Sequence, residues 1–471
     1  MRIGIVCEGS YPYVSGGVSS WVHSIIKGMP EHEFIILAIV PASQKRILQY
    51  SLPDNVIQII EIPVFYEEQG SQKRVNKHMS SEDFDELLSF FQMKTNSGTA
   101  LRILHSLSKS KDPNIFFRSK AFFEIAKQCS EEEDNVNFIE FFYMLKGMYL
   151  PILSVLKTDI PPLDCIHSVS TGYAGLLSAR IEHEQGIPFV LTEHGIYTRE
   201  REEEILVSDW IPAVFKKRWM SFFHHIAHIA YDHADRIISL FEKNSHIQKM
   251  NGADPGKLDI IPNGVYLPDR LEREDSKKEV FHIGSVIRVV PIKDVKTMMY
   301  AAKELKERGL RFTWSILGPM EEDDRYAKEC LELQKHLKLE EEVSFVGKVS
   351  VKDYYPLFDV MVLSSLSEGQ PLSILEAFSY RVPCIATNVG ACQELINGSS
   401  NDQTGKAGFV VSPTASLELA DRLVWMAEHE KERKEMGEIG FKRVEEHYQQ
   451  EDVLAAYRSI YHSGGKHAWR E

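Results

Sequence analysis

Four groups of residues in this sequence could do chemistry on an anionic or hydroxyl-rich ligand. The first is Glu8-Gly-Ser-Tyr-Pro-Tyr-Val-Ser-Gly16-Gly17-Val-Ser19. Gly16 and Gly17 carry no side chain to hold a ligand away, and a helix opening there offers free N–H groups to an anion. The spacing is neither that of a dinucleotide fingerprint nor that of a P-loop, and a tight turn into a helix would use the same residues. The second group is Arg288 and Lys293, two cations five residues apart, with Asp294 able to cap a following helix. In an acidic protein such a pair suits a diphosphate: Arg grips phosphate through two parallel N–H bonds, and Lys acts as a point charge. Two solvated surface cations are the plainer alternative. The third is Ser367-Glu368-Gly369-Gln370-Pro371-Leu372-Ser373-Ile374-Leu375-Glu376. Pro371 suits the first turn of a helix, which places Glu368 in the preceding loop and Glu376 about one and a half turns in. Both carboxylates can accept hydrogen bonds from sugar hydroxyls. Favourable placement of acids near a positive helix end explains Glu368 as well, and Glu376 less well. The fourth is Thr192-Glu193-His194-Gly195, where His194 can donate a hydrogen bond or handle a proton, or simply pack.

The elements around these groups follow one rhythm. Residues 2–7, 34–40 and 57–62 are short apolar runs that read as buried parallel strands, with a helix between the first two over 18–28. Residues 70–157 interrupt the rhythm with helical spacing, as in Phe84, Leu87, Leu88 and Phe91, and read as a helical insertion. Strands resume over 165–168, 188–192, 237–240 and 258–261. Residues 266–280 have linker composition. A second series follows, with strands over 281–287, 312–317, 343–346, 360–363, 383–386 and 408–411 and a helix over 294–308. The sequence therefore predicts an α/β protein of two doubly wound, Rossmann-like lobes. The first covers residues 1–265 and the second 281–449. A last helix over 450–463 within the segment 450–471 is expected to cross back to the first lobe. Each candidate group sits in a loop after a strand, where open α/β sheets bind ligands, and the two lobes are expected to face each other across a cleft.

Composition narrows the function. The formal net charge of -14 argues against a nucleic-acid partner, which needs cations to neutralise phosphates. Cys7, Cys129, Cys165, Cys330, Cys384 and Cys392 show no C-x-x-C spacing and read as buried free thiols in a reducing compartment. The start Met-Arg-Ile-Gly-Ile-Val is not a signal peptide, because Glu8 ends the apolar stretch. The apolar region 138–156 is interrupted by Glu140, Lys146 and Pro151 and reads as a buried helix. The expected location is cytoplasmic, with room for peripheral docking at the inner face of a membrane. Asp83-Phe84-Asp85 could hold a metal elsewhere, but here it falls in the amphipathic insertion and not after a strand, so no metal site is expected.

Taken together, these groups resemble the retaining GT-B glycosyltransferases of family four. Their signature of two Glu separated by seven residues is matched by Glu368 and Glu376. The resemblance implies that Glu368 contacts the donor sugar and that Glu376 holds the ribose. It implies that Arg288 and Lys293 bind the donor diphosphate, that Gly16 and Gly17 approach the phosphates, and that His194 lies near the reacting sugar. Gly369, Gln370, Leu372 and Ser373 would then complete the donor site. A closer likeness, to the PelF-type enzymes of Pel exopolysaccharide synthesis, rests on Glu8 to Trp21, Leu191 to Arg201 and Ser367 to Glu376. Pro371 departs from the wider family, where many members have Gly, and removes one backbone donor.

The activity this implies is transfer of a hexose or N-acetylhexosamine from a nucleotide sugar, UDP-linked, to a polysaccharide acceptor with retention of configuration. No cofactor or metal is implied: preorganised cations and helix-terminal N–H groups would stabilise the leaving diphosphate. The resemblance also implies an inner-membrane synthase or export complex as partner. Phe215 to Phe223 mixes cations with aromatics, as interfacial helices do, and as a core helix with one basic face also does. A nucleotide-sugar epimerase and a non-catalytic nucleotide-binding scaffold are the alternatives.

Overall fold

The computed structural model describes residues 1–41, 46–64, 79–109, 112, 114–134, 136–268, 280–400, 402 and 404–463. The chain divides into two units. In the first, β1 (Arg2–Glu8), α1 (Gly17–Gly28), β2 (Glu33–Val40) and β3 (Val56–Pro63) are followed by five helices. These are α2 (Ser81–Phe91), α3 (Gly98–Ser108), α4 (Asn114–Phe117), α5 (Lys120–Ser130) and α6 (Phe138–Leu156). Then come β4 (Cys165–Ser168), α7 (Gly172–Gln185), β5 (Phe189–Glu193), α8 (Tyr197–Val207), α9 (Ala213–His233), β6 (Arg236–Ser239), α10 (Glu242–Met250) and β7 (Leu258–Ile260). The strands form one parallel sheet in the order β3-β2-β1-β4-β5-β6-β7.

The second unit contains β8 (Phe281–Val286), α11 (Val295–Glu307), β9 (Phe312–Leu317), α12 (Asp324–His336), β10 (Val343–Gly347) and β11 (Val360–Leu363). It continues with α13 (Leu372–Ser379), β12 (Cys384–Thr387), α14 (Cys392–Asn397), β13 (Gly408–Val411), α15 (Ser416–Glu428) and α16 (Glu430–His447). Helix α17 (Gln450–His462) is the last. Its sheet is parallel in the order β10-β9-β8-β11-β12-β13. Helices on both faces bury both sides of the strands, which is why the central strands are continuous apolar runs and not alternating ones. In each sheet the order reverses beside the first strand of the unit, between β1 and β4 and between β8 and β11. Those reversals leave a crevice at the strand ends, the usual ligand position.

Each strand begins and ends within one residue of its expected position. The unit boundaries differ more. The first unit ends at Ile260, residues Leu240–Lys243 group with the second, and helix α17 divides between them at Ala455/Ala456. The expected boundary at 265 rested on the polar linker, but Val265 pairs with Gln449 and Asn263 bonds Gln370, so the chain joins the second unit earlier. Positions 269–279 of that linker, and 70–78 of the insertion, lie outside the described residues.

The insertion shares one core with the first sheet. Phe90, Phe91, Phe122 and Tyr149 are buried in the same cluster as Val6, Ile35 and Leu37, with Phe91 stacked on Tyr149 at 4.0 Å. Among the described residues one helix, α6, is long and apolar enough to cross a membrane, and about half of it is buried, including Ile152 through Leu156. The six cysteines are free and buried.

Candidate active site

In the first unit a pocket of about 210 Å³ opens at the β1/β4 reversal, lined by Glu8, Ser10, Ser170, His194, Tyr197 and Arg201 among others. Glu8 ends β1. Its Oε1 accepts a hydrogen bond from the Tyr197 hydroxyl (3.2 Å) and its Oε2 one from the Ala174 N–H (3.3 Å), in the first turn of α7. Burial pushes the Glu8 carboxyl up to about 7, against those two donors and the nearby Arg201 charge. Tyr197 reaches Glu8 because Gly172, at φ 69°, lets its ring pass; a Cβ there would sit 2.3 Å from the ring.

His194 follows β5 at the same pocket. Burial lowers it to about 4, so it is neutral at physiological pH, and its Nε2 has no hydrogen-bond partner. The Trp21 indole of α1 meets its ring edge-on at 4.7 Å. Behind it, His167 is held between the Tyr461 hydroxyl (2.6 Å) and Thr192 Oγ1 (2.8 Å). Glu193 is fully engaged: Thr171, Tyr231, Gln248 and the Tyr197 N–H all donate to it. Gly16 stands at the N-cap of α1 and Gly17 opens the helix, with no side-chain cap. A Cβ at either position would meet nothing within 4 Å.

In the second unit the loops after β8 and β11 are tied together. Ser364 Oγ donates to the carbonyls of Lys293 (3.0 Å) and Asp294 (2.9 Å), and the Leu366 N–H donates to Ile292. Asp294 turns the chain at φ 46°, a conformation its short carboxylate tolerates, and caps α11 through Thr297. The result points Lys293 at Glu368: Lys293 Nζ pairs with Glu368 Oε1, which also accepts from Ser365 Oγ at 2.6 Å. The side chains of this ion pair are only 16% and 10% exposed. Gly390, at φ 51°, leaves room for the Glu368 and Gly369 carbonyls, which a Cβ would strike at 2.2 and 2.3 Å. Helix α13 starts without a side-chain cap, so the N–H groups of Leu372 and Ser373 at its first turn are available to a ligand.

Other expected residues are placed differently. Arg288 makes a surface pair with Glu322 at 2.7 Å, and the two side chains are 42% and 35% exposed. It does not share the partner of Lys293, so the two cations are not one preformed clamp. Gln370 is buried and turned inward: its Oε1 accepts from the Asn263 N–H (2.6 Å) and its Nε2 donates to Leu240 (3.2 Å), so it holds the chain junction. Pro371 is the N-cap of α13 and not its first residue. Glu376 accepts a hydrogen bond from the Tyr355 hydroxyl at 2.8 Å, and burial pushes its carboxyl up. Phe215, Arg218, Phe222 and Phe223 are buried, so the aromatic and basic stretch of α9 is a core helix. Asp83 lies in the first turn of α2, and among the described residues no cluster of three His, Cys, Asp or Glu could hold a metal.

Sequence reasoning quoted Glu8, Trp21 and Tyr197 without giving any of them a role in the site, and it missed Ser365 and Tyr355. Only Glu8 carried a signal, a charged residue closing an otherwise apolar strand.

Comparison with known proteins adds to this geometry. Residues 1–256 match a family model described as "Domain of unknown function (DUF3492)", and residues 277–429 match "Glycosyl transferases group 1". The chain is 29% identical over 234 residues to N-acetyl-alpha-D-glucosaminyl L-malate synthase of Bacillus anthracis, spanning 48% of this chain and 57% of that one. It is 24% identical over 361 residues to the MMP alpha-(1->4)-mannosyltransferase of Mycolicibacterium hassiacum, spanning 76% and 84%. Among solved structures, Anabaena Alr3699/HepE in complex with UDP and glucose superposes with a TM-score of 0.60 at 14% identity, covering 98% of this chain and 100% of that one. The likeness gives the two-unit, Rossmann-like fold its class, GT-B.

Proposed function

We propose that this chain, a glycosyltransferase that belongs to the DUF3492 family, moves a hexose or N-acetylhexosamine from a UDP-sugar to a growing polysaccharide with retention of configuration. The observation that carries the reading is the second unit's strand-end site. A largely buried Lys293–Glu368 pair lies in loops bound together by Ser364, beside an α13 start whose N–H groups lack a side-chain cap. Lys293 and those N–H groups would stabilise the negative charge that builds on a departing diphosphate. Glu368 would hold a sugar hydroxyl through Oε2, and Glu376 the ribose. His194, neutral and with a free Nε2, would hydrogen-bond the reacting sugar. The leaving phosphate takes the acceptor's proton, so no nucleophilic carboxylate and no metal enter the mechanism.

UDP as the carrier is supported by the UDP-bound relative of the same fold. A Pel-type exopolysaccharide role at the inner face of the membrane, with a membrane-bound synthase as partner, rests on the sequence motifs. Leu206, Val207, Trp210 and Val214 are exposed just before and at the start of α9 and are the surface that supports such a partner.

The test is thermal unfolding with UDP, with and without chelator. At a ligand concentration near 100 times Kd, linkage gives about 2.7 kcal/mol of stabilisation. An upward shift in Tm that survives chelator is expected. A saturating panel of nucleoside diphosphates that leaves Tm unmoved would remove the donor site from the second unit. UDP release that requires a carbohydrate acceptor separates this activity from an epimerase.

A further inference from the structure

The pocket of the first unit contains a carboxylate that the mechanism above does not use. We propose that Glu8 is a positioning residue for the acceptor: it accepts a hydrogen bond from a hydroxyl of an uncharged sugar held against Ser170 and Arg201. The inference rests on the glycosyltransferase reading and deepens it by naming the acceptor's chemistry.

The geometry is specific. Glu8 Oε1 takes the Tyr197 hydroxyl and Oε2 the Ala174 N–H, and the Tyr173 N–H also donates to the carboxylate. A carboxylate offers about four lone-pair sites, so one is left for a ligand while the three donors fix the group in orientation. Glu8 also lines the cavity, which a carboxylate serving only to cap α7 has no reason to do. The charges around it exclude other ligand classes. Glu8 and Glu200 both line the pocket, and its one lining cation, Arg201, is engaged with Glu204 at 2.6 Å. The pocket therefore offers a phosphate or uronate no uncommitted cation among the described residues, whereas a hydroxyl group finds an acceptor in Glu8.

The groups facing Glu8 are Tyr173 and the N-terminal turn of α7, then Tyr197 and Arg201 from α8. Together with burial they leave its carboxyl at about 7, so acceptor binding should weaken as pH falls below neutrality.

Glu8→Gln keeps the shape and one accepting oxygen, which can retain the Ala174 N–H, while its NH2 group can donate to the Tyr197 hydroxyl oxygen; the charge and one acceptor are lost. Transfer from a UDP-sugar to two probes, the trimers of glucose and of N-acetylglucosamine, is measured with UDP affinity by calorimetry. The expected result is a roughly 10-fold rise in KM for the trimer, the difference between a charged and a neutral hydrogen bond. UDP affinity should stay within about twofold, because Glu8 belongs to the acceptor pocket and not to the Lys293–Glu368 site, and the acid limb of transfer near pH 7 should disappear. An unchanged KM with an unchanged limb overturns the inference, as does an equal loss of UDP affinity. A wild type that binds UDP yet transfers to neither trimer overturns the uncharged-sugar assignment. Should Glu8→Gln fail to fold, Tyr197→Phe removes one donor to the carboxylate and should move the acid limb to higher pH; an unmoved limb overturns the inference. A wild type that does not bind UDP sinks the functional reading and this inference with it.

Discussion

The two units place their chemistry at the same topological position but hold it by different forces. At the β1/β4 reversal the working side chains are fixed by rings and neutral hydrogen bonds: Trp21 on His194, Tyr461 and Thr192 on His167, Tyr197 on Glu8. At the β8/β11 reversal they are fixed by charge, Lys293 on Glu368, with backbone carbonyls tied by Ser364. Burial of an unpaired ionisable group favours its neutral form, which is what His167 and His194 show. A buried ion pair is held by mutual attraction at the cost of desolvation. The first arrangement suits a polyol. The second suits a ligand whose charge changes during reaction.

The sharpest way to break this contrast is to remove charge from the second unit. Lys293→Ala should lower kcat by about 10²–10³, the usual loss for one preorganised donor to a developing anion. Circular dichroism should show the fold retained, because the ion pair lies in surface-connected loops. Near-normal turnover would return Lys293 to a structural counter-ion of Glu368. The two carboxylates should fail differently. Glu376→Gln is expected to weaken UDP binding, since a ribose contact is the same in ground and transition states. Glu368→Gln should lower kcat while sparing UDP affinity. Equal loss of UDP affinity in both variants would show that their roles are not divided between ribose and sugar.

A smaller effect tests the first unit. His167 titrates at about 3 in the folded chain because burial removes it from water. Its unfolded value is near 6.5, so the folded form is favoured above that pH, and the advantage falls as pH drops towards 3. Between pH 6.5 and 5 the unfolded state alone takes up the proton, which costs about 2 kcal/mol. His167→Gln lacks this titration. The stability gap between wild type and variant, from urea unfolding, should therefore narrow by about that amount across the window. A gap independent of pH would mean that His167 protonates in place. Glu394 of the second unit runs the other way: burial, and the neighbouring Glu242, push it up to about 7, so its contribution is lost as pH rises.

Much of this was legible before the structure. Short apolar runs ending in polar loops give parallel strands directly, because helices on both faces impose that pattern. Glu368 and Lys293 were legible because each follows such a run. What the sequence hid was partnership. Arg288 and Lys293 are equally spaced cations on paper, yet Asp294's left-handed turn sends Lys293 to Glu368, while Arg288 reaches Glu322 on the surface. Gln370 sits between two site residues and faces the interior, because the chain from Asn263 passes beneath it. The aromatic and basic face of α9 fitted an interfacial helix and a core helix alike, because its burial by the insertion, whose aromatics such as Phe141 and Tyr149 lie more than seventy positions away, is a long-range fact.

The smallest expected effect isolates the ligand from the fold. Gly16 lies at φ 170°, extended backbone open to any residue, and a Cβ there meets nothing. Gly17 opens α1 with the same free space. Nothing within the described chain requires glycine at either position. Gly16→Ala should therefore leave stability unchanged or raise it by up to about 1 kcal/mol, because alanine has less unfolded-state entropy to lose. If a ligand's phosphates or sugar approach the uncapped start of α1, the added methyl lies in their path. UDP-sugar turnover should fall while Tm holds or rises. Two outcomes would count against this. A drop in Tm would mean that the loop packs more tightly than its open surroundings indicate. Unchanged Tm with unchanged turnover would leave the first unit's glycines as a turn and confine the donor to the second unit's charged site.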